Sequence, residues 1–350
     1  MIGIDLFAGA GGMSLGARQV GIDVQIVVEA DKYAAQTYQR NHTPNVLFHE
    51  GDIRTFTKVD LVNPADEQVV LFGGPPCQGF STSNQKTRNS ENPVNWLFTE
   101  FLRVVDLYEP EWIVFENVKG ILETEGGLFA QHVLDSISSK GYICESTVLK
   151  ASEFGVPQNR DRFFIVANRI GASFKFPKGS NKLVTVEEAI GDLPKLRNGA
   201  NKCERPYEMK PHSEYSNRMR ANSNGHCLNN LVTRNAKFVI ARYKYIPQGG
   251  NWENVPDRLM TNYKDKSRCH TGIYHRLSED KPSVVIGNYR KNMLIHPSQG
   301  RGLSVREAAR LQSFPDDFIF EGSIGFQQQQ VGNAVPPLLA QELFKRILNS

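Results

Sequence analysis

Asp5-Leu6-Phe7-Ala8-Gly9-Ala10-Gly11-Gly12 is the stretch on which the fold turns. It follows the apolar run Gly3 to Phe7, which reads as a β-strand, and precedes an amphipathic stretch that reads as a helix. Glycine lets the backbone approach a ligand closely. The spacing departs from a dinucleotide fingerprint, and no Lys-Ser or Lys-Thr follows to hold a triphosphate. The loop therefore favours a nucleoside-type cofactor without phosphates. Further strands are predicted at Val24 to Glu29, Val69 to Phe72, Trp112 to Phe115, Ser146 to Lys150 and Arg162 to Ala167, with longer amphipathic stretches between them. These runs are nearly all apolar, as strands buried on both faces of a mostly parallel α/β sheet must be. Ligands then sit at the C-terminal ends of the strands.

The polar residues at those ends carry the chemistry. Glu29 closes the second strand, where ribose hydroxyls are bound in such sheets. Gly51-Asp52-Ile53, after a short strand, offers a carboxylate to an adenine amino group. In Gly73-Gly74-Pro75-Pro76-Cys77-Gln78-Gly79-Phe80-Ser81, two glycines and two prolines fix a loop with Cys77 at its tip. A cysteine that only fills a core would sit inside the strand, so this position points to a nucleophile, active as its thiolate. Glu116-Asn117-Val118 ends the strand Trp112 to Phe115, and a partly buried Glu116 could donate a proton at neutral pH. Gln158-Asn159-Arg160-Asp161-Arg162 places two arginines on one face, suited to a phosphate or a base carbonyl. Singly, each feature has a structural alternative: a turn, a core thiol, a surface salt bridge. Their order on one sheet is harder to explain that way.

The chain is 350 residues long and 40% hydrophobic, enough for one large domain and a smaller one. No apolar run approaches the ~20 residues of a membrane span, and Asp5 interrupts any signal-peptide core, so a soluble intracellular protein is expected. Five cysteines without short paired spacing fit a reducing compartment. Between Lys195 and His275 fifteen Lys and Arg face six Asp and Glu, a net of +9, which leaves about −5 for the rest of a chain whose total is +4. The same segment carries Tyr207, Tyr215, Phe238, Tyr243, Tyr245, Trp252, Tyr263 and Tyr274, a mixture suited to phosphate contacts and base stacking, or equally to a solvated face over core aromatics. Capping boxes at Thr185-Val186-Glu187-Glu188 and Ser304-Val305-Arg306-Glu307 predict helices, the first closed by Gly191 and the second running to Gln312 before Pro315. A last helix is expected from Pro336 onward. The α/β region thus ends near Pro194, and a loop-rich region follows.

In this order the motifs resemble the DNA (cytosine-5) methyltransferase family over nearly the whole chain outside the basic segment. The family's cofactor loop matches Phe7, Ala8, Gly9, Gly11 and Gly12. Its ribose carboxylate matches Glu29, its adenine site Asp52 and Ile53, and its Pro-Cys nucleophile Pro76 and Cys77. Glu116 to Val118 is similar to its Glu-Asn-Val, and Gln158, Arg160 and Arg162 to its Gln-x-Arg-x-Arg. Arg306 to Pro315 is similar to a helix near the hinge, and Gly332-Asn333-Ala334-Val335 to a closing motif that returns Asn333 and Val335 to the cofactor.

The resemblance implies an S-adenosylmethionine-dependent methyltransferase fold, Rossmann-like with a mostly parallel seven-stranded sheet. Residues 1–194 plus 325–350 would form its catalytic domain and 195–324 a target-recognition domain and hinge. It implies that Cys77 adds to C6 of a flipped-out cytosine, that Glu116 serves N3, and that Arg160 and Arg162 complete the catalytic set. Gln78, Ser81, Arg88 and Gln158 would touch DNA, Leu97 the cofactor, and Ser81 to Trp96 would close over the duplex. Family members often carry Arg before the Leu-Phe pair, where this chain has Pro93-Val94-Asn95-Trp96. The implied partners are double-stranded DNA and a cognate restriction endonuclease, with a monomer on DNA, no membrane and a cytoplasmic, nucleoid-associated location, in a restriction-modification or related defence or epigenetic role. Methylation of RNA is disfavoured because Cys269-His270-Thr271 replaces the Cys-Phe-Thr of that branch. An inactive DNA-binding relative is disfavoured by the intact motif residues. A zinc site at Cys203, Cys227 and Cys269 lacks C-x-x-C spacing, so no metal is expected.

Overall fold

A computed structural model describes the chain except residues 45, 77–96, 264–270, 288 and 290–292. The chain folds as two compact units. The first comprises Met1–Phe154, Asp161–Gly179 and Pro337–Ser350; the second comprises Gly155–Arg160 and Ser180–Pro336. Residues 180–194, read from the sequence with the α/β region, thus group with the second unit, together with the helix Val186–Ile190.

The first unit is built on a seven-stranded sheet: β1 (Ile2–Leu6), β2 (Asp23–Glu29), β3 (Leu47–Glu50), β4 (Val69–Gly73), β5 (Trp112–Val118), β6 (Ile143–Lys150) and β7 (Asp161–Asn168), in the spatial order β3-β2-β1-β4-β5-β7-β6. The first five pair in parallel, and β7 runs antiparallel between β5 and β6. Every residue of β1 and β4 is buried, the consequence of helices on both faces and the reason these runs are apolar but for Asp5. Helices α1 (Gly12–Gln19), α2 (Lys32–Asn41), α3 (Leu97–Tyr108) and α4 (Leu128–Ser138) connect the strands. The last helix, Pro337–Leu348, packs on α1 so closely that a Cβ on Gly16 would lie 2.7 Å from Ala340 Cβ. The strand order reverses at β1, which has β2 on one side and β4 on the other, and this is where such sheets open a ligand crevice.

The sequence predicts β5 to end at Phe115, yet it continues through Glu116-Asn117-Val118. The cause is β7: β4 pairs with β5 only as far as Gly73 opposite Phe115, while β7 continues the ladder with Phe164, Phe163 and Arg162. Glu116 therefore stands on a strand whose β4 flank has already turned away. In the second unit both predicted capping boxes form, Thr185 with Glu188 and Ser304 with Glu307. A small core of Val239, Tyr243, Ile246, Val255, Met260, Tyr274 and Ile295 supports residues otherwise rich in loops.

Candidate active site

The loop after β1 takes its shape from three left-handed residues, Phe7 (φ 58°), Gly9 (φ 57°) and Gly11 (φ 89°). Gly11 is the N-cap of α1, and its N–H donates to the Ala8 carbonyl at 2.9 Å. Ala8 N–H donates to Val28 O at 3.2 Å, which lays the loop across the end of β2. There Glu29 accepts from Gly9 N–H and from Asp31 N–H, each at 2.6 Å. Burial raises the Glu29 pKa and these two backbone donors oppose the rise. One strand further, Asp52 caps a short 3-10 turn and pairs with the Arg54 guanidinium, whose hydrogen bonds hold the carboxyl at about 2. Ile53 beside it is buried, and its carbonyl accepts from Arg103 Nη2 of α3 at 2.8 Å. Leu97, the first residue of α3, is partly buried against the core. The predicted cofactor residues from Phe7 to Gly12, Glu29, Asp52 and Ile53 thus stand at the ends of β1, β2 and β3 of one unit.

At the ends of β4 and β5, Glu116 Oε1 meets Arg162 Nε at 2.7 Å, with both residues only 8% exposed. Arg162 Nη1 also donates to Asp161 O at 2.9 Å. Burial lowers the Arg162 pKa, and the Glu116 carboxylate is the first influence opposing it. Asn117 Nδ2 donates to Pro75 O at 3.1 Å and so fixes the loop that leaves β4. A Cβ on Gly74 would lie 2.5 Å from Glu116 Oε2, so glycine is what admits the carboxylate beside this loop. Pro76 is the last described residue before Cys77; Cys77, Gln78, Ser81 and Arg88 lie outside the described residues.

Four predicted residues fall in the second unit. Arg160 is buried and donates through Nη2 to Gly332 O at 2.9 Å, whereas Arg162 serves Glu116 in the first unit. The two arginines hold different groups rather than form one fork. Gln158, expected at DNA, is 0% exposed. Its amide donates to Leu311 O at 3.1 Å and Gln312 Oε1 at 2.9 Å and accepts from Ile286 N–H at 2.9 Å, which is a scaffold role in this structure. Asn333 is exposed at the end of the helix Ile324–Asn333, and Val335 is buried. Of the aromatic residues weighed for base stacking, Tyr215, Tyr243 and Tyr274 are core, while Phe238 and Tyr245 are 56% and 42% exposed. Cys203 is exposed and Cys227 buried, and no cluster of three His, Cys, Asp or Glu suited to a metal occurs among the described residues.

Comparison with known proteins gives this geometry a family. The family model described as C-5 cytosine-specific DNA methylase matches residues 1–349. The chain belongs to that family. This methyltransferase is 36% identical to the Type II methyltransferase M1.HphI of Haemophilus parahaemolyticus, over 99% of its own length and 86% of the relative's. It is 33% identical to the Type II methyltransferase M.DdeI of Desulfomicrobium norvegicum, over 98% and 88%. Among solved structures, an Escherichia coli prophage protein described as a DNA modification methyltransferase superposes with a TM-score of 0.77 at 25% identity, covering 100% of this chain and 99% of that one. The enzyme is accordingly a DNA (cytosine-5) methyltransferase. Asn117 and Gly74, which position the loop ahead of Cys77, received no separate role from the sequence. Their signal was adjacency alone, Asn117 to Glu116 and Gly74 to the Pro-Pro pair.

Proposed function

We propose that this methyltransferase modifies C5 of a flipped-out cytosine within a specific double-stranded DNA sequence, with Cys77 as nucleophile and S-adenosylmethionine as methyl donor. The observation that carries the reading is the buried Glu116–Arg162 pair beside a Pro75 carbonyl anchored by Asn117, immediately ahead of Cys77. The residues at the ends of β1 to β3 suit the cofactor. They offer backbone N–H groups, the Glu29 and Asp52 carboxylates and the apolar Phe7 and Ile53, with no cation from Phe7 to Gly12 to hold a phosphate. When bound, S-adenosylmethionine supplies an electrophilic methyl group on its sulfonium.

Cys77 adds as thiolate to C6, which pushes electrons toward N3 and C5. Glu116 meets the charge at N3 with a proton or hydrogen bond. Arg162 orients that carboxyl group. The activated C5 would take the methyl group, and loss of its proton to water with expulsion of the Cys77 thiolate then restores the aromatic ring. Extruding the base costs a few kcal/mol, which phosphate contacts offset. We assign catalysis to the first compact unit, in place of 1–194 plus 325–350. Target recognition goes to the second, around 195–324, with Gln78, Ser81 and Arg88 at the DNA. The Type II names of the relatives favour a restriction-modification role with a cognate endonuclease as partner. Bisulfite sequencing of DNA from a host expressing the protein tests the reading: 5-methylcytosine at one recurring sequence is expected. Unmodified DNA, with label from tritiated S-adenosylmethionine found only in RNA, would overturn it.

A further inference from the structure

Behind the cofactor loop runs a buried polar chain that the reaction scheme does not use. Asp5, in β1, is 1% exposed, and its Oδ2 accepts from Ser14 Oγ at 2.6 Å. The Tyr38 hydroxyl, on α2, donates to the same Ser14 Oγ at 2.8 Å, and Ser14 and Tyr38 are fully buried. The chain therefore ties β1, α1 and α2 together on either side of Phe7–Gly11. The loop also rests on its outer member: a Cβ on Gly11 would lie 2.8 Å from both Tyr38 Cδ2 and His42 Cδ2, and the two rings are 4.8 Å apart.

We propose that Tyr38, Ser14 and Asp5 are positioning residues for cofactor binding, a buried chain that fixes the conformation of the Phe7–Gly11 loop. The proposal rests on the reading of that loop as the cofactor site. Buried polar groups are costly unless satisfied, so removing the middle hydroxyl takes a hydrogen-bond donor from Asp5 and an acceptor from Tyr38 and loosens what they hold. The charges around the chain give it a pH dependence. Burial pushes Asp5 up to about 8, Ser14 and Arg18 oppose that rise, and Glu29 adds to it. Burial raises Tyr38, which keeps its proton at any working pH. His42 is brought down to about 4 by burial and then by Arg18, so it is neutral. Of these three, only Asp5 gains charge between pH 7 and 9. An anion there, beside Glu29, is relieved by local opening to water, and each pH unit above about 8 shifts the closed-to-open ratio by at most roughly tenfold.

Calorimetric titration with S-adenosylhomocysteine tests this at pH 7 and pH 9. Wild-type affinity is expected to fall by roughly threefold or more across that interval, while D5N, isosteric and without a titrating proton, stays flat near the wild-type value at pH 7. S14A and Y38F should each weaken binding by about tenfold at pH 7, and S14A/Y38F no further than S14A, because Tyr38 acts through Ser14. Thermal unfolding without ligand gives a second readout. The neutral acid's contribution is fully present below about pH 4 and is lost as pH rises through about 8, so wild type should lose more stability than D5N between pH 5 and 9. Equal pH dependence in wild type and D5N, or undiminished binding by S14A, overturns the proposal. Absence of binding by wild type at pH 7 overturns the cofactor-site reading as well.

Discussion

Replacing Arg162 with methionine keeps a long side chain in place but takes the guanidinium from Glu116. The two side chains are 10% and 11% exposed, so the pair is a buried one, and removing one member of such a pair costs about 3–5 kcal/mol. Protonation offers Glu116 an escape. From an ordinary carboxyl value of about 4.3, neutralising it at pH 7.5 costs about 4 kcal/mol, and at pH 5 only about 1 kcal/mol. The penalty should therefore be about 3–4 kcal/mol at pH 7.5 and shrink to about 1 kcal/mol at pH 5. The sign follows from burial: a carboxylate without its cation is disfavoured as the anion, so the R162M penalty grows as pH rises above the ordinary carboxyl range. The converse variant E116Q supplies the control. A guanidinium cannot shed its proton in this range, so the E116Q penalty should be the same at pH 5 and 7.5, and E116Q/R162M should recover most of the loss. Scanning calorimetry of the four proteins across pH 5–8 measures all of this. A pH-independent R162M penalty, or R162M as stable as wild type, would refute the argument that burial makes this pair a mutual necessity.

Three other outcomes are expected. Cys77→Ser should abolish turnover, read with tritiated S-adenosylmethionine and duplex DNA, while gel-shift affinity for DNA is largely kept; retained methylation removes Cys77 from the mechanism. Gly11→Ala forces a Cβ onto a residue at φ 89°, 2.8 Å from the Tyr38 and His42 rings, so S-adenosylhomocysteine binding should drop at least about fivefold, for a strain of about 1–3 kcal/mol. Asn117→Ala releases the Pro75 carbonyl, so kcat should fall by about tenfold or more with cofactor affinity unchanged, and an unchanged kcat would show that the loop does not need this anchor.

What the sequence shows of this fold follows from burial. Strands β1, β2, β4 and β7 stand out because helices cover both faces and their central positions are mostly apolar. β3 is four residues, none of them buried, and only Gly51-Asp52 after it hints at its end. At β5 the polar Glu116-Asn117 looks like a strand terminus, since a ladder continued by one neighbour after the other has left carries no one-dimensional signal. The position of a polar residue is legible where it closes or follows a strand, as at Glu29 and Asp52. It is illegible where a polar residue serves the interior. Nothing local distinguishes Gln158, with its three internal hydrogen bonds, from a glutamine that touches DNA, and Ser14 and Tyr38 look like ordinary helix residues until the fold brings them to Asp5.

The same reasoning bears on the basic segment, because charge counted along a chain is not charge presented to a partner. Arg242 contributes to the +9 of Lys195 to His275, yet it is 2% exposed. It donates to Leu259 O and the Tyr274 hydroxyl and lies among the rings of Phe238, Tyr263 and Tyr274 at 5.1 to 5.4 Å. Arg220 stacks on Tyr207 at 3.6 Å and pairs with Asp192 at 3.1 Å. Just past the segment, Arg276 gives its donors to the carbonyls of Tyr243, Ile246, His296, Pro297 and Gln299. In a loop-rich unit, where few ladders satisfy backbone carbonyls, a planar group with five donors can gather several loops at one node, and arginine is weakly hydrated enough to be buried there. The lysines Lys195, Lys202, Lys210, Lys237 and Lys244 are instead exposed, where a compact ammonium serves phosphates as a point charge. Each phosphate neutralised contributes about 0.9 to the slope of log affinity against log salt. Lysine-to-glutamine changes at these positions should therefore flatten that slope for DNA binding with little effect on folding. Arg276→Lys should leave the slope nearly intact in whatever protein still folds, and cost stability first.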